Sequence, residues 1–368
     1  NLNIDFEIIQ NKKSSESYEM VDKNLENTGR GKSYFKFDPA SFAKVVTLGH
    51  GKNSSRVDLC QNPETSKCYA LKTVPRAAVT TKQQVDQLLR EKEVLKELSH
   101  PRIVNLHGTA NDATGLYFLL DAVLGGALFR HIRASPNGRL KADHARFYTA
   151  EILSAVDHLH NCRIMHRDIK ANNILLDEHG HVKVIDFGFS RWFTDGDPTL
   201  AEGGCLAQTF CGTPHAMAPE MVARQGHNHM VDWWSLGILL YEMLTGAPPF
   251  GYGEVHESEH ADEVLFEKIL NEEVQFPEYL HQDTSGCDII RELLCKSAVE
   301  RLGAAERGGS HGIMHHAFFE EVDFEQISKG GLPPPAFNQN LGELDFVRGR
   351  LSTTDGHAQI DQTLFEHF

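Results

Sequence analysis

The sequence predicts an α+β chain of two unequal lobes, a small β-rich one followed by a larger helical one, with a tail beyond. Three observations point there. Short apolar runs of strand character, interrupted by one helical stretch, occupy residues 37–123. After Gly125-Gly126 the apolar residues recur at helical spacing. Beyond residue 319 periodicity fades and Pro333-Pro334-Pro335 appears, which reads as loop.

In chain order, residues 1–36 are polar and weakly periodic, and 1–40 reads as an N-terminal extension, partly helical. The small lobe takes 41–123, with strands over 45–48, 68–72 and 116–120. A helix over 82–97 sets Val85, Leu88, Leu89 and Leu95 on one face. The large lobe takes 124–318, with helices over 147–160 and 231–244 and short helices around 289–294. Residues 319–368 form a tail ending Leu364-Phe365-Glu366-His367-Phe368. There are no internal repeats.

Composition narrows the classes. The chain has 368 residues, 40% hydrophobic and 24% charged, ordinary for a globular protein with ample core. A formal charge of −15 argues against nucleic acid or an anionic membrane as partner and suits basic substrates. The 7 cysteines, at 60, 68, 162, 205, 211, 287 and 295, are odd in number and never Cys-x-x-Cys. That pattern predicts reduced thiols in the cytoplasm or nucleus. No apolar run reaches the roughly 20 residues of a membrane span, and the start lacks a signal-peptide pattern. The chain begins at Asn1, so an upstream domain or lipid anchor stays open.

The chemistry lies where these elements meet. Leu48-Gly49-His50-Gly51 sits between strand-like runs, as a hairpin covering phosphates requires, because glycine lets backbone amides approach closely. Along the strand 68–72 side chains alternate, so Ala70 and Lys72 share a face. A small Ala there leaves room for a flat base while the ammonium meets phosphates. Glu91, on the following helix, is the natural partner of Lys72. Residues 164–188 then read I-M-H-R-D-I-K-A-N-N-I-L-L-D-E-H-G-H-V-K-V-I-D-F-G. Asp168 suits the orientation of an attacking hydroxyl, and Lys170 the neutralisation of a transferring phosphoryl group. Asn173 and Asp186 are spaced as hard oxygen ligands for Mg²⁺. Phosphoryl transfer from a nucleotide is the leading reading.

His166-Arg167-Asp168 with Asn173, then Asp186-Phe187-Gly188, has the form of the protein-kinase catalytic-loop and metal-ligand signatures. The match continues through Thr209-Phe210-Cys211-Gly212-Thr213-Pro214, Ala218-Pro219-Glu220, Val231-Asp232-Trp233-Trp234 and Tyr241-Glu242-Met243. It extends to Pro248-Pro249-Phe250, Glu300-Arg301-Leu302-Gly303, Arg350-Leu351-Ser352 and the terminal Phe-x-x-Phe. On these residues the chain, over about 37–368, resembles the AGC group of eukaryotic Ser/Thr protein kinases, and within it the cAMP-dependent branch.

The resemblance implies a bilobal protein kinase fold whose C-terminal tail wraps back to the small lobe, using ATP and Mg²⁺ on protein substrates. It implies an ATP site at Leu48, Gly49, Gly51, Val57, Ala70, Lys72, Asp121, Val123, Leu175 and Asp186. Asp168, Lys170, Lys72 and Glu91 would be catalytic, with Asn173 and Asp186 on metal. Thr209 would be an activation-loop phosphosite paired by Arg167 and Arg191, and Ser352 a tail phosphosite. Thr213 would face Asp168 and Lys170, Glu220 would pair with Arg301, and Asp232 would anchor the catalytic loop. Phe365 and Phe368 would dock on the small lobe beside the Glu91 helix, and Phe189 points to serine as acceptor. An upstream activating kinase or autophosphorylation, and a regulatory or inhibitory subunit, follow as partners.

The chain also departs from the group. Where the cAMP-dependent branch carries acids that recognise upstream arginines, this sequence has Ala127, Asn172 and His215, and only Glu242 remains. Selectivity for basic residues should therefore be lost or altered. The hairpin continues Lys52-Asn53-Ser54-Ser55-Arg56-Val57, without a third glycine and one residue longer than the kinase pattern. Residues 192–208 lengthen the activation loop, and 252–263 insert Glu254, Glu257, Glu259, Asp262 and Glu263. Gly342-Glu343-Leu344-Asp345-Phe346 only partly matches the tail motif that reaches the nucleotide. His311 and His315 are spaced for a metal on one helical face but have no Cys or carboxylate companion, which disfavours zinc. The alternative is a pseudokinase scaffold or allosteric module with weak nucleotide binding. A small-molecule kinase is disfavoured, because it has no use for the peptide platform from Thr209 to Glu220.

Overall fold

The computed structural model describes residues 37–51, 54–193, 211–251 and 260–338. The expected phosphosites Thr209 and Ser352, the docking residues Phe365 and Phe368, and Phe346 lie outside them.

The small lobe is a five-stranded antiparallel sheet in the order β1-β2-β3-β5-β4. Its strands are β1 (Ala43–His50), β2 (Arg56–Gln61), β3 (Cys68–Pro75), β4 (Leu106–Asn111) and β5 (Gly115–Asp121). Strands β2 and β4 escaped the sequence reading because β2 opens on charged Arg56 and Asp58, and β4 carries Gly108 and Asn111. The edge strand β1 pairs with β2 through two irregularities, near Val46 and Gly49, that bend it over the interlobe gap.

Helix α1 (Lys82–Glu97) begins at a capping box, with Thr81 and Gln84 satisfying each other's backbone amides. Its buried residues are Glu91, Val94 and Leu95. Leu89, expected on the apolar face, is 50% exposed. The helix turns toward the carboxylate of Glu91 instead, which has an ion-pair partner inside the lobe.

The large lobe holds α2 (Leu128–Ala134), α3 (Ala142–Asn161), α4 (Pro219–Val222), α5 (Met230–Thr245), α6 (Ala261–Asn271), α7 (Thr284–Leu293), α8 (Gly309–Met314) and α9 (Phe324–Lys329). Helix α5 is the centre of the core: every residue from Met230 to Leu244 is buried, Trp233 and Trp234 among them. An apolar helix on all sides must be enclosed by others, and α3 and α7 pack against it. It stops at Gly246, whose φ of 87° is left-handed and whose hydrogen lies where a Cβ would meet the Gly138 carbonyl oxygen at 2.5 Å.

Helix α3 starts five residues before the expected 147, because its N-terminus lacks a side-chain cap to mark it. The segment beyond 319, read as loop, contains α9, capped by Asp323. Six residues are too few to show helical periodicity. Two small ribbons, β6 (Ile164–Met165) with β9 (Arg191–Trp192) and β7 (Ile174–Leu176) with β8 (Val182–Val184), carry the chemistry-bearing loops toward the sheet.

The lobes are pinned between α1 and β4. Val104 N–H donates to the Val184 carbonyl and Val184 N–H to the Arg102 carbonyl. Arg102, 4% exposed, meets Glu151 of α3 at 2.9 Å.

Candidate active site

Between the sheet and the β7–β8 ribbon lies a cavity of about 390 Å³. Strand alternation decides its roof. Val57 stands opposite Lys72, and Leu59 opposite Ala70. Val57, Ala70 and Lys72 face the cavity, whereas Tyr69 and Leu71 pack with Phe42 on the other side of the sheet. Leu48, Gly49, Gly51, Val123 and Leu175 also line the space, so an apolar slot with a polar far end is present.

At the polar end Lys72 Nζ meets Glu91 Oε1 at 2.6 Å. Burial pulls the Lys72 pKa down, but the Glu91 and Asp186 carboxylates outweigh it and hold the ammonium above its ordinary range. Asp186 is exposed to the cavity and has φ 62°. A non-glycine residue in that region is strained and held by its surroundings; here Gly188 N–H donates to its Oδ1 at 3.3 Å.

Asp121, expected in the nucleotide site, is held by neighbours within the protein. It lines the cavity, yet its carboxylate accepts from Asn105 N–H at 3.0 Å, Asn105 Nδ2 at 2.9 Å and His107 Nε2 at 2.7 Å, with Lys183 Nζ at 3.5 Å. Burial would raise its pKa, but the bonds from His107 and Asn105 and the Lys183 charge hold it well below the usual carboxylate range. Its N–H is engaged as well, donating to the Asn105 carbonyl at 3.1 Å. No local pattern signals this cluster, whose members come from β4 and the residue before it, β5 and β8.

The catalytic-loop residues converge around Asp168, 2% exposed. Lys170 Nζ donates to Asp168 Oδ2 at 2.8 Å and to Thr213 Oγ1 at 2.6 Å, and Thr213 Oγ1 donates to Asp168 Oδ1 at 2.7 Å. Asn173 Nδ2 donates to the Asp168 carbonyl and to Oδ2, both at 2.9 Å, which leaves its oxygen turned to other partners. Beneath them Asp232, fully buried, accepts from His166 N–H at 2.9 Å, Arg167 N–H at 2.8 Å and His160 Nε2 at 2.9 Å. Burial opposes its charge, and these donors more than offset it, so its pKa is lowered. The residue at the bend, Arg167, has φ 68°.

Arg167 Nε donates to the Phe189 carbonyl at 2.7 Å, while its buried Nη1 has no hydrogen-bond partner among the described residues. Burial lowers its pKa, with Arg191 and Arg90 adding like charge nearby. Such a cationic group is suited to an anion. Farther along, Arg301 is fully buried and holds Glu220 bidentately at 2.8 and 2.9 Å.

On the side expected to meet substrate, Glu242 is 8% exposed. Burial pushes its pKa up to about 7 against the pull of Arg133. Burial, then the Lys170 charge, takes His215 down to about 4, so it stands neutral beside the Asp168 carboxylate. Asn172 is exposed. Among residues the sequence reading missed, Gln87 lines the cavity and bonds to the Gly188 carbonyl.

This arrangement can hold a triphosphate against a cation, present two oxygen ligands to a metal and orient a hydroxyl. Comparison with known proteins agrees. A model of the protein kinase domain matches residues 42–319. A cAMP-dependent protein kinase catalytic subunit from Arthrobotrys oligospora is 38% identical over 82% of this chain and 54% of its own length. Protein kinase C eta type from Mus musculus is 38% identical over 84% of this chain and 43% of its own. The human cAMP-dependent protein kinase catalytic subunit PRKX is 37% identical over 89% of this chain and 87% of its own. The chain thus spans about half the length of the curated relatives it first matches.

Proposed function

The chain belongs to the protein kinase family, of AGC type, and from that premise we propose that it transfers the γ-phosphate of ATP, with Mg²⁺, to serine or threonine hydroxyls of proteins. The observation that carries this reading is the bonded set Lys170–Asp168–Thr213, joined through Asn173 to a cavity that Asn173, Lys72 and Glu91 line. Asp168 orients the acceptor hydroxyl toward the phosphate and takes its proton late. Lys170 neutralises charge on the transferred group, and Lys72, fixed by Glu91, holds the phosphates. Asn173 and Asp186 fit Mg²⁺, since both are oxygen ligands and Asp186 faces the cavity. When bound, the ion would screen the phosphate charges. The gain comes from alignment and charge stabilisation, with little covalent work by the protein.

Asp168→Asn tests the reading. Phosphate transfer to a peptide library should fall at least about 100-fold, the scale of removing a positioned acid–base group. A parent that transfers no phosphate while binding nucleotide would leave the scaffold alternative, which the altered hairpin motivates.

Substrate choice follows from the departures. Ala127, Asn172 and His215 supply no carboxylate, and the remaining Glu242 is buried and half protonated near neutral pH. These support a kinase without strong preference for arginine two or three residues before the acceptor. A peptide array in which those arginines dominate would refute it. We place regulation at Thr209, whose phosphate would meet Arg167, and in partner proteins such as an activating kinase or regulatory subunit. The six cysteines among the described residues are free thiols, which supports a reducing compartment, cytoplasmic or nuclear. Among the described residues no helix is long and apolar enough to cross a membrane.

A further inference from the structure

Gln87 lies on α1, one turn before Glu91, and lines the same cavity as Lys72, Asp186 and Gly188. Its Nε2 donates to the Gly188 carbonyl oxygen at 2.7 Å, across 101 positions of chain. Gly188 is held a second way, its N–H donating to Asp186 Oδ1 at 3.3 Å. The junction is tight: a Cβ on Gly188 would lie 3.2 Å from Asp186 Oδ1, 3.6 Å from Gln87 Nε2 and 3.8 Å from Glu91 Oε2. One turn further along α1, Glu91 holds Lys72 at 2.6 Å. A single side-chain amide therefore ties the helix that carries the phosphate-holding pair to the turn that carries the metal-ligating carboxylate.

We propose that Gln87 is a positioning residue for phosphoryl transfer, keeping α1 and the Asp186-Phe187-Gly188 turn in register so that Lys72 and Asp186 address one triphosphate. The inference rests on the kinase reading above. An amide suits the task because it is neutral and sets the register without adding charge beside Glu91 and Asp186. Without it, α1 is free to move relative to the turn while the Lys72–Glu91 pair stays intact, so the phosphate and metal subsites separate. One neutral hydrogen bond shifts such an equilibrium about 3- to 10-fold.

Two variants test this. Gln87→Met keeps length and helix propensity and removes the donor; Gln87→Glu keeps the shape and turns an acceptor toward the Gly188 carbonyl. Binding of ADP by calorimetry, with and without Mg²⁺, should show Mg²⁺-dependent affinity weakened about 3- to 10-fold in both variants. The peptide KM and the melting temperature of the nucleotide-free protein should stay near the parent's, whereas kcat falls. Mg²⁺–ADP affinity equal to the parent's in both variants would overturn the proposal, as would a lowered melting temperature with an unchanged Mg²⁺ requirement. Should Gln87→Met fail to fold, Gln87→Glu decides. A parent that binds Mg²⁺–ADP yet transfers no phosphate defeats the kinase reading, and the binding comparison still judges Gln87. A parent that binds no Mg²⁺–ADP defeats both.

Discussion

Glu242 shows how one side chain links stability to pH. In the unfolded chain its carboxyl ionises in the ordinary range, near 4.5, whereas burial keeps it protonated in the fold up to about 7. Its pKa is raised by folding, so the stability it allows is complete below pH 4.5 and is lost as pH climbs to 7. Glu242→Gln removes that loss. The variant should exceed the parent in urea stability by on the order of 2–3 kcal/mol at pH 8, with the gap closing near pH 4. A gap that does not change with pH would sink the assignment of burial as the cause. At the same scale, Lys72, Asp168, Asn173 and Asp186 stood out as candidates because residue type and spacing restrict the chemistry open to them. Gln87 and the His107–Asp121 contact did not, because a glutamine on a charged helix looks like a surface residue until the lobes meet, and a histidine on a strand until its neighbouring strand is known.

The hairpin between β1 and β2 carries a local cost that its sequence already hints at. Ser54 has φ 54°, a conformation glycine would adopt without penalty. Gly51 closes the turn by donating to the Ser55 carbonyl at 2.8 Å, and a Cβ on Gly51 would meet Ser55 Oγ at 2.6 Å. Serine at 54 therefore costs about 1 kcal/mol. Ser54→Gly should raise the unfolding free energy by about 0.5–1 kcal/mol, and Ser54→Val should lower it, since a branched Cβ fits the left-handed region worse. Equal melting temperatures for the three proteins would argue against strain. Elements with strong periodicity, α1 and α5, were readable from sequence to within a residue or two. Those lacking it, β2, β4 and the short α9, were not, because their pairing partners or caps stabilise them rather than their own pattern.

At the scale of the molecule, a buried ion pair joins the two lobes. Arg102 follows α1, and Glu151, 1% exposed, lies on α3. Glu151 also accepts from His181 Nδ1 at 2.7 Å and Val182 N–H at 2.9 Å. Gly330, at the end of α9, has no Cβ to collide with the Arg102 guanidinium; one would lie 2.9 Å from Nη2. Removing one member of such a pair leaves a charge without its partner in a dry site. Arg102→Met should therefore cost about 3–5 kcal/mol, read from urea unfolding of the whole chain. A loss under about 1 kcal/mol, the scale of a surface pair, would show that the pair does not hold the lobes.

By itself the sequence determined which side chains are candidates for chemistry, because a carboxylate, an ammonium and oxygen ligands at short spacing are properties of residue type and order. It also determined the division into a strand-rich and a helical part, through periodicities of two and of 3.6 residues. The tertiary structure alone decided which side chains face each other across the gap. That choice ties the Asp121 carboxylate to His107 and Asn105, brings Gln87 onto Gly188 and buries Glu242. The reason is physical: burial and partner distance arise from contacts between segments far apart in the chain, and no local pattern encodes them.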